Sequence, residues 1–340
     1  MVLLSEINDR IGVIKLKDVM EINMNINIHR NKLIILSLLI LCIIILIKST
    51  NHNEENLDST VQVGNSTNQI NVETFNAVGN DDTDDTEFIQ NAIDSLFPEG
   101  GNVYFPKGTY LVDAVKSINL RDNITLNFEE GAVIKVKPND RESYVIFKIH
   151  NISHVSIKGN LKMVGERDEH IGNSGEWGFG ISIRGSENIL VEDVRIENMW
   201  GDAIYIGGTE VQNYSENVVI SNTKLNNNRR QGISVISAIN LTILNPVITN
   251  TRGTSPSAGI DLEPNTQTEK MKDISIINMK SFNNKGGGIV ISLKNLKNTH
   301  DHVNIMIHNT KGIKDGVRTY KPKDLRGIIK VGKEYKHNRF

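Results

Sequence analysis

Residues 201–206 read Gly-Asp-Ala-Ile-Tyr-Ile, residues 230–235 Arg-Gln-Gly-Ile-Ser-Val, and residues 258–263 Ala-Gly-Ile-Asp-Leu-Glu. Each segment opens on small or polar residues and then alternates apolar with polar. Period-two alternation marks a half-buried strand. Two similar segments flank them, Phe-Gly-Ile-Ser-Ile-Arg at 179–184 and Gly-Gly-Ile-Val-Ile-Ser at 287–292. Aligned on Ile181, Ile204, Ile233, Ile260 and Ile289, the next apolar row is Ile183, Ile206, Val235, Leu262 and Ile291. A row that stays aliphatic through five segments predicts a shared core.

The row between them holds Ser182, Tyr205, Ser234, Asp261 and Val290, and the row after holds Arg184, Gly207, Ile236, Glu263 and Ser292. Two residues before the first isoleucines stand Phe179, Asp202, Gln231, Ala258 and Gly287. Polar and charged groups therefore concentrate in the middle segments. If the segments stack in parallel, these side chains form one outward strip, and that strip is the expected site.

Repetition extends beyond these segments. Strand-opening pairs occur at Asn123-Ile124, His154-Val155, Asn188-Ile189, Asn217-Val218, Asn240-Leu241 and Asp273-Ile274. Their spacing falls in the range of roughly 20–50 residues that signals a solenoid, whose coils bury apolar faces only by stacking. Asparagine at the opening position tolerates the left-handed conformation and can bond within its own turn. The same turn chemistry explains the Asn-x-Ser/Thr sequons of the repeats, at Asn123, Asn151, Asn213 and Asn240, at least as well as glycosylation does; a fifth lies at Asn65.

Composition narrows the class. The 340 residues carry a net charge of −2, which gives no basic field for nucleic acid. Aromatic residues make up 5%, and Cys42 is the one cysteine, so neither an intramolecular disulfide nor a multi-cysteine zinc site is available. His150, His154 and His170 lack metal-ligand spacing and read as structural residues.

The chain divides into four parts. Residues 1–32 form a leader in which Met24 is an alternative start. An apolar run from Leu33 to Ile47 follows Arg30 and Lys32, while Glu54, Glu55 and Asp58 lie beyond it. That asymmetry predicts a signal anchor over 33–48, with the bulk of the chain outside the cell, or secretion if the leader is cleaved. Leu41 before Cys42 does not suit lipoprotein processing. Residues 49–71 read as a flexible linker. A β domain spans 72–335, with Val303–Ile307 and Gly327–Val331 as its last strands and a solvated basic ending.

At the start of that domain Asp84 and Glu87 have capping-box spacing. Phe88, Ile89, Ala92, Ile93, Leu96 and Phe97 recur at helical spacing before Pro98. The acidic run Asp81–Asp85 reads as turn and cap chemistry, since it lacks EF-hand spacing. Val103–Phe105 and Thr109–Val112 read as strands. An amphipathic helix here is one way to cover the open end of a solenoid.

The sequences Gly-Asn-Asp-Asp-Thr-Asp-Asp-Thr (79–86), Ile-Gln-Asn-Ala-Ile-Asp (89–94) and Gly-Gly-Asn-Val-Tyr-Phe-Pro-Lys-Gly-Thr-Tyr (100–110) resemble the N-terminal signature of the pectate-lyase-like proteins. That superfamily includes rhamnogalacturonase, epimerase-like and glycoside hydrolase family 28-like groups and many phage tailspikes. The resemblance is specific over 72–134 and consists of repeats beyond. It implies an all-β fold, a right-handed parallel β-helix, acting on or binding a polysaccharide. Family 28 polygalacturonases carry Gly-His-Gly and Arg-Ile-Lys motifs. Neither is present, and Gly201-Asp202-Ala203 keeps one aspartate where a pair would stand, so a different polysaccharide is expected.

Along one strand, Asp261 and Glu263 are expected to stand roughly 7 Å apart, inside the roughly 6.5–9.5 Å separation of inverting glycosidases. Asp202, two rungs away at roughly 10 Å, is the alternate partner. Arg230, Gln231, Arg184, Tyr205 and Trp200 are expected to bind substrate, the aromatics by stacking on sugar rings and Arg230 by binding an anionic sugar. Arg229 reads as solvated. Three functions stay open: a glycoside hydrolase, with no cofactor; a lyase or epimerase on a uronic-acid polymer, for which Ca²⁺ is the implied ion; and a non-catalytic glycan-binding surface protein.

Overall fold

Every strand among the described residues pairs in parallel. The computed structural model describes residues 68–297 and 301–333. These form three sheets of ten, eight and seven strands, and each sheet takes one strand from almost every coil. A representative coil runs through Glu187–Glu192 in the first sheet and Arg195–Glu197 in the second. It then enters the third sheet at Ile204–Gly207 before the next coil begins at Ser215–Ser221. Such a chain is a parallel β-helix.

The five aligned segments are consecutive strands of the third sheet. Ile181 pairs with Ile204, Ile204 with Ile233, Ile233 with Ile260, and Ile260 with Ile289. The register read from the aliphatic rows is therefore the register found. A one-residue slip would turn every isoleucine outward, so the aliphatic interior enforces it. These isoleucines and the row after them are fully buried. Toward the start of the stack the core becomes aromatic, with Phe105 stacked on Phe128 at 4.2 Å.

The corners are built from asparagine. All six strand-opening residues have positive φ, between 52° and 60°. The amides of Asn188, Asn217 and Asn240 bond to a neighbouring coil rather than within their own turn. Asn217 Nδ2 donates to Asn188 Oδ1 at 3.1 Å, and Asn240 Nδ2 to Asn217 Oδ1 at 2.8 Å. Further ladders climb the other corners through Asn222, Asn245 and Asn278, and through Asn198 and Asn227. The side chain satisfies in one direction what the turn leaves open in the other.

Replacing Asn217 separates these two contributions. Asn217→Ala should cost about 2–3 kcal/mol, the sum of a left-handed penalty and two hydrogen bonds. Asn217→Gly should recover roughly 1 kcal/mol of it. Urea unfolding measures both, and equal midpoints for the two variants would remove the conformational part of the account.

The start of the stack departs from expectation in three ways. First, the linker ends earlier than residue 71, because Gln69–Asn71 already pairs with Gly101–Phe105. Second, the helix spans Thr86–Asp94, shorter than its apolar spacing suggests. Phe97 is exposed beyond its end. Third, no capping box forms. Asp84 accepts from the Thr86 N–H and hydroxyl, Glu87 pairs with Lys116, and Asp85 accepts from the Val78 and Leu111 N–H groups. The acidic run is thus spent on the backbone.

The helix does cap the third sheet. The Gln90 amide donates to Asn119 O at 2.9 Å and accepts from Asn119 N at 2.7 Å, standing in for a neighbouring strand at the open edge. At the other end Val303–His308 and Gly327–Lys333 extend the first sheet, and Val317–Tyr320 extends the third. The expected leader, the anchor over 33–48, Cys42 and most of the linker lie outside the described residues. Among the described residues, no helix is long and apolar enough to cross a membrane.

Candidate active site

The outward face of the third sheet carries Ser182, Tyr205, Ser234 and Asp261, on strands that the buried isoleucines hold in place. Asp261 pairs laterally with Ser234, Ser234 with Tyr205, and Tyr205 with Ser182. Glu263 follows Leu262 on the same face. Asp202 and Gln231 occupy the turns that enter their strands.

These carboxyls are not an open strip. Asp202 is 0% and Asp261 2% exposed. Asp202 Oδ2 accepts from Arg230 at 2.9 Å and from the Ser234 hydroxyl at 2.8 Å, while its Oδ1 has no donor. Burial raises its pKa to about 6, against the pull of Arg230 and Ser234. Burial alone works against the Arg230 charge too. Asp202, Glu176 and Asp261 outweigh it and keep the guanidinium charged.

Asp261 is pushed up further, to about 8, first by burial and then by the negative charge of Glu263. Gln231 holds it from the other side. The Gln231 amide donates to Asp261 Oδ2 at 3.1 Å and accepts from the Ala258 N–H at 2.8 Å. Asp261 Oδ1 meets no N–H or hydroxyl donor, and Glu263 is close enough to take a hydrogen bond from a protonated Asp261. The two carboxyls therefore converge instead of standing roughly 7 Å apart. Asp202 also acts electrostatically on Asp261 and is the other carboxyl near it. Gln231, expected to touch substrate, is fully buried and orients Asp261 instead.

Arg230, which bonds Asp202, also lines a pocket of about 300 Å³ together with Ser143, Trp177, Phe179, Arg184, Tyr205, Ile236 and Asn265, and none of the three carboxyls lines it. The Tyr205 ring stacks on Phe179 at 4.9 Å, and the Arg184 guanidinium lies 4.2 Å over Tyr205. Arg184, Tyr205 and Arg230 are thus gathered as expected. Burial raises the Tyr205 pKa, so its hydroxyl keeps its proton. Arg184 and Arg230 give the pocket two cations on one aromatic floor.

Trp200 is not part of this pocket. It stacks on His170 at 3.8 Å, with the Arg229 guanidinium 3.8 Å over its ring. Its position three residues after a second-sheet strand sends it to another corner. Arg229 is correspondingly tied down, donating to Gly175 O at 2.8 Å. The sequence reading missed Trp177, Asn265 and Glu176, which stands 3.9 Å from Arg230. Trp177 opens the strand that contains Phe179 and could have been found by extending that alignment upstream. Asn265 and Glu176 lie in irregular segments and leave no periodic signal.

Comparison with known proteins agrees with this architecture. The family model "Rhamnogalacturonase A/epimerase, pectate lyase-like" matches residues 69–166. The uncharacterized protein YclG of Bacillus subtilis (strain 168) is 29% identical over 301 residues, covering 77% of this chain and 51% of that one. The chain therefore spans about half the length of that relative. Among solved structures, the A-module of the Azotobacter vinelandii mannuronan C-5 epimerase AlgE4 superposes with a TM-score of 0.56 at 22% identity, covering 71% of this chain and 64% of that one. The tailspike protein gp49 of Acinetobacter baumannii bacteriophage Fri1, a capsular polysaccharide depolymerase, gives 0.56 at 16% identity, covering 75% and 50%. In sequence the chain resembles the rhamnogalacturonase A/epimerase, pectate lyase-like family across residues 69–166, and across its described residues it has the parallel β-helix fold.

Proposed function

We propose that this protein is a glycoside hydrolase acting on an acidic polysaccharide. The observation that carries the proposal is the pairing of a carboxyl held protonated near neutrality, Asp261, with a carboxylate whose Oδ1 lacks a donor, Asp202, which Arg230 joins to a cationic, aromatic-floored pocket. Environments that push two carboxyls apart in pKa assign acid and base. Asp261 donates its proton to the glycosidic oxygen. Asp202 Oδ1 accepts the proton of the attacking water. Their strands are two rungs apart, roughly 10 Å, close to the spacing that leaves room for a water between acid and base.

Arg230 lies between the two acids and lines the pocket, so it is the group that binds the sugar's charge. Tyr205 supplies the stacking surface. Likeness to a mannuronan epimerase and a capsular polysaccharide depolymerase supports a polysaccharide as the partner. Placement outside the cell belongs to the same proposal and rests on the apolar run 33–47.

A second reading, a lyase or epimerase on a uronate polymer, draws on the two arginines flanking Tyr205, which would neutralise a uronate carboxylate. Against it, the Tyr205 hydroxyl is held protonated and is a poor base. The experiment is product analysis on a panel of acidic glycans. New reducing ends without near-ultraviolet absorbance support hydrolysis. An unsaturated, absorbing product or an unbroken epimerised chain would replace it with the second reading, and binding without any product would leave a glycan-binding protein.

A further inference from the structure

The coils stack in chain order, so the two halves of the solenoid sequence lie toward its two ends. Those ends differ in charge. Residues 68–237 carry 25 Asp and Glu against 15 Lys and Arg, a net of −10, whereas residues 238–333 carry 7 against 15, a net of +8. The sign changes where the strand Ala238–Leu244 of the first sheet begins. The pocket does not draw on this polarity, since its cations Arg184 and Arg230 both belong to the acidic half.

The outward face of the first sheet runs through both halves with an uncharged middle. Register aligns Ser156, Leu190, Val219, Thr242, Ser275 and Met306 on successive strands. From Leu190 onward each of these side chains is half-buried. Their neighbours along the strands, such as Ile189 and Val191 or Leu241 and Ile243, fill the core, which turns this row outward. The second sheet instead aligns Lys162, Arg195, Lys224 and Lys280, and the third carries the pocket. The first sheet is therefore the face that a partner covers without stripping water from a row of ions.

Charge flanks this row near the strand openings. Glu216 aligns with Ile239 and Lys272, one strand before and one strand after the point where the sign changes. A half-turn about an axis along Ala238–Leu244 keeps the strand direction and reverses the order of the coils. It sets Glu216 of one copy against Lys272 of another, and Leu190 against Met306. It also sets the acidic end against the basic end, whereas the same coil order would bring like ends together. Seven strands overlap, from Ser153–Lys158 to Gly327–Lys333. At about 4.8 Å per strand and 3.3 Å per residue, five residues wide, they cover roughly 34 Å by 17 Å. That is roughly 600 Å² per copy, the lower end of specific interfaces.

We propose that the outward face of the first sheet docks a second copy of this chain, with the coils antiparallel and the two-fold axis along Ala238–Leu244. The contact is isologous, so it closes as a dimer and does not propagate. It is independent of the hydrolase reading, because the pocket lies on another sheet.

The test uses the full chain carrying Cys42→Ser, so that introduced cysteines are the sole thiols. Leu190→Cys and Met306→Cys proteins, mixed and treated with a short bismaleimide, should give a covalent dimer. Leu190→Cys by itself should not, because its two copies stand four rungs apart, roughly 19 Å. Sedimentation should show a dimer at micromolar protein that salt weakens. Lys272→Glu and Glu216→Lys should each raise its Kd by about tenfold, and the exchange Glu216→Lys/Lys272→Glu should restore it. Restoration distinguishes a lost pairing from a damaged fold. A monomer throughout the micromolar range overturns the proposal, as does an exchange no better than either single variant. Leu190→Cys linking to itself as readily as to Met306→Cys overturns the antiparallel order. Open-ended assemblies that persist in Lys272→Glu put the attraction between solenoid ends and overturn the docking face.

Discussion

Asp261→Asn should lower turnover of a cleaved glycan by about 10²–10⁴-fold, the usual worth of a positioned general acid. The amide keeps an acceptor for Gln231 but has no proton to give. The pH profile should change with it. Activity of the parent protein needs Asp202 ionised, with a pKa of about 6, and Asp261 protonated, with a pKa of about 8. The expected kcat/KM profile is a bell between about pH 6 and 8, with limbs that belong to the coupled carboxyls together. In the variant the alkaline limb should vanish from whatever activity remains.

Stability should respond with the opposite sign from ordinary surface acids. Asp261 has a folded pKa above its unfolded value, so its contribution is greatest at low pH and is lost as pH rises toward about 8. Asp202 and Asp85 act in the same direction but are finished by about pH 6. The fall in Tm between pH 6 and 8 should therefore belong to Asp261 and flatten in Asp261→Asn. A Tm that falls equally in both proteins would place the buried proton elsewhere.

Asp202→Asn should lose both activity and stability. It removes a base worth about 10²–10⁴ in rate and the partner of a mostly buried guanidinium. Breaking a buried pair from one side costs about 3–5 kcal/mol, because the remaining charge stays desolvated. Glu176, 3.9 Å from Arg230, offsets only part of that. The double variant Asp202→Asn/Arg230→Met should regain most of the stability, since neither charge is then buried alone, and none of the activity. Urea unfolding together with turnover separates the two effects. If the double variant is no more stable than Asp202→Asn, the ion pair is not what holds this turn, and Arg230 owes its place to the pocket wall instead.

Much of the scaffold was written in local pattern. Rows of isoleucine at period two, with asparagine at strand openings, specified strands, coils and register. Each acts over a few residues, where alternation and left-handed turns leave a mark. The site residues were named from the same rows, and the structure joins Arg230 to Asp202 and Gln231 to Asp261. Their states were not readable. Whether Asp261 is charged depends on how completely neighbouring coils bury it and on how near Glu263 leans. Trp200 shows the limit most plainly: beside Gly201 and Asp202 in sequence, it looked like part of the site, yet it stacks at the next corner between His170 and Arg229.

By itself, the sequence determined a stack of parallel strands in one register, because an aliphatic interior admits no slip. Only the tertiary structure decided which side chains meet across coils. Residues roughly 30 apart come within hydrogen-bonding distance through the winding of the chain, and the hold of Asp202 on Arg230 and of Gln231 on Asp261 both arise there.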